Sequence, residues 1–216
     1  MSQPEIPYSY VAIEGNIGSG KTTLSEMMAR DYECNLILEQ FADNPFLPYF
    51  YEDAQRYGFP LELFFMTERY KQLQALGTQQ DLFYNFHIAD YTFIKTLLFA
   101  RNNLPQDEFR IFQKLYQTLE ASLPKPDLIV YLHRPIEILL SQIAKRGRSY
   151  ELQIKAEYLR QIQQVYFEYF RSETVIPILI FDMQDANLHL DQSYYEEILR
   201  MISRDHRPGI QHIRIH

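Results

Sequence analysis

Short apolar runs alternate with longer stretches of helical period along the whole chain. Tyr8-Ser9-Tyr10-Val11-Ala12-Ile13 has the length of a buried strand, and a glycine-rich loop separates it from a helical stretch over Thr22 to Arg30. Asn35 to Leu38 is a second strand, ending at Glu39. A connection rich in proline and aromatic residues, Asn44 to Tyr51, leads to a long helix from about Leu61 to Leu76. Phe86 to Ala89 is a third strand, closed by Asp90, and two helices follow, over Phe93 to Arg101 and from Pro105 to about Ser122. Asp127 to Leu132 is the clearest strand. After it come a helix from Ile136, a basic turn at Lys145-Arg146-Gly147-Arg148 and a helix to about Phe170. Val175 to Phe181 is a fifth strand, which Pro177 assigns towards a sheet edge. A last helix covers about Gln192 to Ile202.

Apolar strands separated by helices pair in parallel through right-handed crossovers. The predicted fold is therefore three-layer α/β, with a five-stranded parallel sheet flanked by helices. No repeat or Gly/Ser linker marks a second unit, so residues 1–206 are expected to form one domain and 207–216 a loose tail.

Glycine use changes the picture. The chain has seven glycines, and three of them (Gly15, Gly18, Gly20) fall within six positions. Gly15-Asn16-Ile17-Gly18-Ser19-Gly20-Lys21-Thr22 fits the phosphate-loop pattern G-x-x-x-x-G-K-[ST], with the strand before it and the helix after it that the motif requires. In such a loop successive backbone N–H groups curl around phosphates, and the helix dipole adds positive potential at the same point. Lys21 supplies a point charge and the Thr22 hydroxyl a ligand for Mg²⁺. This predicts binding of a nucleoside triphosphate.

Charge and composition narrow the class. The net charge of −7 argues against a general nucleic-acid binder, and no apolar run approaches a membrane span. The single cysteine, Cys34, excludes an internal disulfide framework. The segment Met1 to Glu5 lacks the basic and apolar regions of a signal peptide, so a cytoplasmic location is expected. Three acids stand at strand ends, where ligands bind in a parallel sheet: Glu14, Glu39 and Asp90. Glu14 enters the loop itself and reads as structural, whereas Glu39 belongs beside the terminal phosphate, where an acceptor hydroxyl would sit.

The stretch from Ile13 to Thr23, the strand-end Glu39 and the segment Lys145-Arg146-Gly147-Arg148-Ser149-Tyr150-Glu151 together resemble the deoxyribonucleoside kinases, the relatives of deoxycytidine, deoxyguanosine and deoxyadenosine kinase. The similarity runs from Tyr8 to about Asp182, and the segment Phe41 to Leu47 looks closest to a bacterial branch. The resemblance implies a P-loop kinase fold with an Arg-rich lid at about 145–152. It implies ATP as donor, Mg²⁺ as cofactor, a deoxyribonucleoside as substrate and a helix-packed homodimer, for which the helices from Leu61 and Ile111 offer apolar faces. It gives the phosphate loop, Gly15 to Thr23, to the donor, with Lys21 acting in catalysis. It makes Glu39 the general base on the 5′-hydroxyl and Arg146 and Arg148 the clamp on the transferring phosphoryl group. Glu151 and Tyr51 would hold the sugar 3′-hydroxyl, Glu62 and Arg69 would read the base, and Asp90 would support Mg²⁺ with Thr22.

Two departures stand out. The third strand of the family ends in an acid-Arg-Ser triplet, whereas this chain has Asp90-Tyr91-Thr92. Lys95, one turn further on, restores a positive charge if it turns inward, although a solvated lysine is the expectation. The base-reading glutamine of the family is replaced by Glu62, which accepts but does not donate when ionised. With Arg69 holding it ionised, Glu62 suits a base edge rich in donors. The expected substrate is a purine deoxynucleoside, with deoxycytidine as the alternative. Two competing readings are a thymidylate-type monophosphate kinase and a non-catalytic nucleotide-binding module. The first needs basic residues near the second pocket, but Asn44 to Pro60 carries two acids and one base. The second has no reason to keep Glu39 together with Arg146, Arg148 and Glu151.

Overall fold

The structure is a computed structural model that describes residues 4–41, 44–76, 84–188 and 190–214. Ala42, Asp43 and His189 lie outside the described residues. Strand β1 (Tyr10–Gly15) is followed by α1 (Lys21–Asp31) and β2 (Cys34–Ile37). A short α2 (Leu47–Phe50) precedes the long α3 (Ala54–Leu76), β3 (Phe86–Ala89), α4 (Ile94–Asn103) and α5 (Gln106–Glu120). Then come β4 (Leu128–His133), α6 (Ile136–Arg146), a 3-10 turn over Ser149–Gln153 and α7 (Ala156–Ser172). The chain continues with β5 (Pro177–Asp182), α8 (Gln192–Ile202) and β6 (Gly209–Arg214).

The strands form one sheet in the order β2-β3-β1-β4-β5-β6, every neighbouring pair parallel. The alternation along each strand sorts its side chains into two cores. Val11, Ile13, Val130 and Leu132 pack with Leu24 and Met28 of α1 and Ile198 of α8 on one side. Ala12 and Ala89 meet Met66 and Leu73 of α3, and Ile129 and Tyr131 meet Ile162, Tyr166 and Phe170 of α7, on the other. The α/β class and parallel sheet are as predicted, and the elements from β1 to α8 fall at or within a few residues of their expected positions, with one exception.

That exception is α3, which begins at Ala54, seven residues before the predicted start, and runs through Pro60. Asp53 caps the early start, its Oδ1 accepting from the Arg56 N–H at 3.1 Å. Gly58 lets this first part lie close against α4, because a Cβ there would meet the Asn103 carbonyl at 3.2 Å.

Two further expectations are corrected. The segment from Gly209 is a sixth strand, not a loose tail, registering Ile178 against Ile210 and Phe181 against Ile213. As a result β5 is an inner strand with a partner on each side. Pro177 is accommodated because it is the first residue of β5, where a missing N–H removes little from the ladder. No described helix is long and apolar enough to cross a membrane.

Candidate active site

The carboxyl ends of β1, β2, β3 and β4 open on one side of the sheet, and the phosphate loop fills the step from β1 to α1. Gly18 and Gly20 hold φ of +81° and +99°, which L side chains rarely adopt. The loop's carbonyls are taken up by side chains of the loop and of the residue after β4. Lys21 Nζ donates to the Gly15 and Asn16 carbonyls at 3.0 Å each, and Arg134 Nε donates to the Ser19 carbonyl at 2.9 Å. Asn16 anchors the loop to α7 through a 2.8 Å bond from Nδ2 to the Leu159 carbonyl. Ser19 Oγ is buried without a partner in this cradle. Burial lowers the Lys21 ammonium to about 8, and repulsion from Lys95 adds to the effect. Such a loop of freed N–H groups and a partly desolvated ammonium fits a polyphosphate.

Beside it, Thr22 Oγ1 donates to Asp90 Oδ2 at 2.6 Å, while Asp90 Oδ1 accepts the Glu39 N–H at 2.7 Å. One carboxylate therefore joins the phosphate loop to the end of β2. A hydroxyl and a carboxylate side by side are hard oxygen donors of the kind Mg²⁺ takes.

Glu39 sits between two cations. Its Oε1 accepts from Arg69 Nε at 2.9 Å and from Arg69 Nη2, and its Oε2 accepts from Lys95 Nζ at 2.6 Å. Burial opposes ionisation of Glu39, but Lys95 and Arg69 overcome it and hold the carboxyl well below the usual range. Arg69 Nη1 also donates to Thr96 Oγ1 at 2.8 Å, which spreads the guanidinium across α3, β2 and α4. Lys95 is thus buried in the cleft and not solvated as expected, because the first turn of α4 faces the sheet end. It restores a cation where the triplet Asp90-Tyr91-Thr92 carries none. Tyr91 is buried and its hydroxyl donates to Gln72 Oε1. Glu14 is structural, as read: Oε1 accepts from the Thr92 N–H and hydroxyl, Oε2 from Tyr166.

From Glu39 a cleft runs between α3, α4 and the lid. Tyr51, Glu62, Arg69, Arg146, Arg148 and Glu151 all line it with Lys21 and Asp90. The lid closes on itself. Arg146 donates to Glu151 Oε2 through Nε at 3.0 Å and Nη2 at 2.6 Å, and Arg148 Nη1 donates to Oε1 at 3.2 Å. The Arg148 guanidinium also lies 3.7 Å from the centre of the Phe41 ring. Tyr51 meets Tyr158 edge to face at 6.0 Å, and its hydroxyl is pushed up by burial and by the nearby Glu151 and Glu62.

The predicted pairing of Glu62 with Arg69 is not formed. Arg69 is occupied by Glu39 and Thr96, while Glu62 Oε1 accepts from Asn103 Nδ2 at 2.7 Å. Glu62 Oε2 is buried without a partner. Burial raises this carboxyl to about 7, against the pull of Arg69 and Asn103. Near neutral pH it both accepts and donates, so it is not the acceptor-only group the sequence implied.

The sequence profile of the family described as Deoxynucleoside kinase matches residues 11–206. The chain belongs to the deoxynucleoside kinase family. Among curated relatives, this kinase is 34% identical over 193 residues to the deoxyguanosine kinase of Bacillus subtilis (strain 168), covering 88% of this chain and 93% of that one. It is 27% identical over 212 residues to the deoxyadenosine/deoxycytidine kinase of the same organism, covering 94% and 96%. Among solved structures, deoxyadenosine kinase from M. mycoides with products dCMP and a flexible dCDP bound aligns at a TM-score of 0.74 and 25% identity, over 89% of this chain and 97% of that one. The same protein with bound dATP aligns at 0.75 and 24% identity, covering 91% and 100%, a likeness of fold.

Lys21, Thr22, Glu39, Tyr51, Glu62, Arg69, Asp90, Arg146, Arg148 and Glu151 line one cleft, Ser19, Gly20 and Thr23 line the groove beside it, and Gly15 and Asn16 line neither. Among the residues at the site that sequence reasoning missed are Asn103, Tyr158 and Arg134. Asn103 is the last residue of α4, and only the crossing of α4 on α3 places it against Glu62. For Arg134 a signal existed, since it follows β4 at the ligand-binding end of the sheet.

Proposed function

We propose that this kinase transfers the γ-phosphoryl group of ATP, with Mg²⁺, to the 5′-hydroxyl of a purine deoxyribonucleoside, deoxyguanosine or deoxyadenosine, for nucleotide salvage. The observation that carries the reading is the position of Glu39, on the line between the phosphate loop and the aromatic-walled cleft. There it accepts the proton of the 5′-hydroxyl as that oxygen bonds to the γ-phosphorus and the bond to the β-phosphate bridging oxygen breaks. Lys95 and Arg69 orient both of its oxygens, so the carboxylate meets the acceptor without having to reorganise.

Lys21 and the loop N–H groups hold the donor's phosphates. Thr22 and Asp90 would hold Mg²⁺, which supplies charge neutralisation on the phosphate oxygens. Arg146 and Arg148 lie within reach of the same region, and turning from Glu151 to the phosphoryl group would leave Glu151 free for the 3′-hydroxyl beside Tyr51.

The purine preference rests on Glu62. When ionised, its unpartnered Oε2 would accept from a donor of the base, and guanine presents N1–H and N2–H₂ side by side. The relative named deoxyguanosine kinase supports this assignment. A monophosphate acceptor is disfavoured, because the connection from Asn44 to Pro60 carries two acids and one base. The exposed Leu63 on α3 and Ile111 and Leu115 on α5 support a homodimer packed through these helices. A cytoplasmic location goes with the reading.

ADP formation measured with each of the four deoxynucleosides, and with their monophosphates, tests the assignment. Highest efficiency with deoxyguanosine or deoxyadenosine is expected. Thymidine as the preferred substrate would refute the base assignment, and stimulation only by monophosphates would refute the acceptor.

A further inference from the structure

Phe41 has no part in the chemistry described so far, yet it stands where the parts meet. It follows Glu39 by two residues, beyond the end of β2. With Glu39 and Arg148 it lines both the acceptor cleft and the groove beside the phosphate loop. The Arg148 Cζ lies over its ring, 3.7 Å from the centre. At that distance the guanidinium lies flat on the ring, because edge-on its nitrogens would overlap the ring carbons. The contact is well inside the range of about 6 Å over which a ring face attracts a cation.

The two lid arginines are held in different ways. Arg146 gives two N–H groups to Glu151 Oε2, at 3.0 and 2.6 Å. Arg148 follows Gly147, whose φ of +71° turns the chain out of α6. It gives Glu151 only Nη1, at 3.2 Å, and rests its face on Phe41. The distinction matters when the lid engages a phosphoryl group. A hydrogen bond to Glu151 occupies a donor and has to break before that donor meets a phosphate oxygen. Stacking occupies the face and leaves the N–H groups in the guanidinium plane free. Arg148 can therefore turn its edge from Glu151 to the phosphoryl group without leaving the ring. Its side chain is 28% exposed, so the attraction is partly shielded from water.

We propose that Phe41 is a positioning residue for phosphoryl transfer: its ring is the platform that keeps Arg148 over the junction of donor groove and acceptor cleft while the lid exchanges Glu151 for the phosphoryl group. The role rests on the reading of Arg148 as a clamp on that group. Being two residues from Glu39, the ring also locates the arginine relative to the general base.

Phe41→Leu keeps an apolar side chain and removes the ring face, whereas Phe41→Tyr keeps the face. Steady-state kinetics with ATP and the best of the four deoxynucleosides are compared for both variants, for Arg148→Gln and for Phe41→Leu combined with Arg148→Gln. Phe41→Leu is expected to lower kcat about 3- to 30-fold with both KM values within about threefold, the range of a partly desolvated cation–ring contact. Phe41→Tyr should stay within about twofold of wild type, and in the Arg148→Gln background Phe41→Leu should cost less than about twofold more. Equal losses from Phe41→Leu in the two backgrounds would overturn the proposal, as would a Phe41→Tyr variant as slow as Phe41→Leu.

A second arm reads the contact without turnover and serves if the leucine variant does not fold. The chain has no tryptophan, so Phe41→Trp places its only one on the platform. Emission from that ring is expected to shift to longer wavelength when Arg148→Gln is added, because the ring loses its cover. An unchanged spectrum would overturn the proposal. Turnover untouched by Arg148→Gln alone would instead remove the clamp reading, and the proposal with it.

Discussion

Replacing Glu62 by glutamine should stabilise the protein, and should do so only above about pH 4.5. Glu62 is 1% exposed, with one oxygen bonded to Asn103 and the other unpaired. Burial is the largest influence on its carboxyl and raises it from an ordinary 4.5 to about 7, with Arg69 and Asn103 pulling the other way. The folded chain therefore binds this proton more tightly than the unfolded chain. Below pH 4.5 the group is protonated in both states and costs nothing. As pH rises from 4.5 to 7 the unfolded chain ionises first and stability is lost, and above 7 the loss is constant. A displacement of this size corresponds to about 3 kcal/mol. Glutamine has nearly the same shape, keeps an acceptor for Asn103 and does not ionise, so it escapes the loss. Urea unfolding of both proteins at pH 5 and pH 8 measures the difference. Agreement within about 1 kcal/mol at pH 5 and an advantage of about 2–3 kcal/mol for the variant at pH 8 are expected. An offset that is the same at both pH values would refute the reasoning, because an uncharged repacking effect has no pH dependence.

Three further outcomes are expected. Glu39→Gln should lower turnover by about 10²–10⁴ with ATP affinity nearly intact, and turnover close to wild type in a phosphoryl-transfer assay would remove Glu39 from the base role. A 2′,3′-dideoxynucleoside should bind about 1–3 kcal/mol more weakly than its parent, because Glu151 and Tyr51 then lose a partner in a buried site; equal affinities by calorimetry would count against that pair. Ending the chain at Pro208 removes β6, and with it the ladder to β5 and the packing of Ile210 and Ile213. A loss of about 2 kcal/mol in urea unfolding is expected, and an unchanged midpoint would mean that β6 adds nothing to the sheet.

Much of the candidate site was legible because its signals are local. The phosphate loop is a contiguous motif whose glycines, lysine and threonine act within one turn of chain, and its flanking strand and helix follow from patterning alone. The α/β class followed from the alternation of apolar runs with helices. The lid residues Arg146, Arg148 and Glu151 are two to five positions apart, so one short turn brings them together.

What the sequence left open was which side chain would face which across the cleft. Arg69 and Glu62 lie on the same helix and looked like partners, yet Arg69 turns to Glu39 at the end of β2, 30 residues away. Glu62 turns to Asn103, 41 residues on, because Gly58 lets α3 press against α4. Lys95 would be a surface lysine on an isolated helix, and it is buried because the sheet order aims the start of α4 at Glu39. The sixth strand has the same cause. Gly209 to Arg214 is too mixed in polarity to declare itself, and it becomes a strand because β5 offers a free edge. Local patterning decides which face of an element is apolar; the crossing of elements decides which charges meet, and that is set only when the sheet and helices pack.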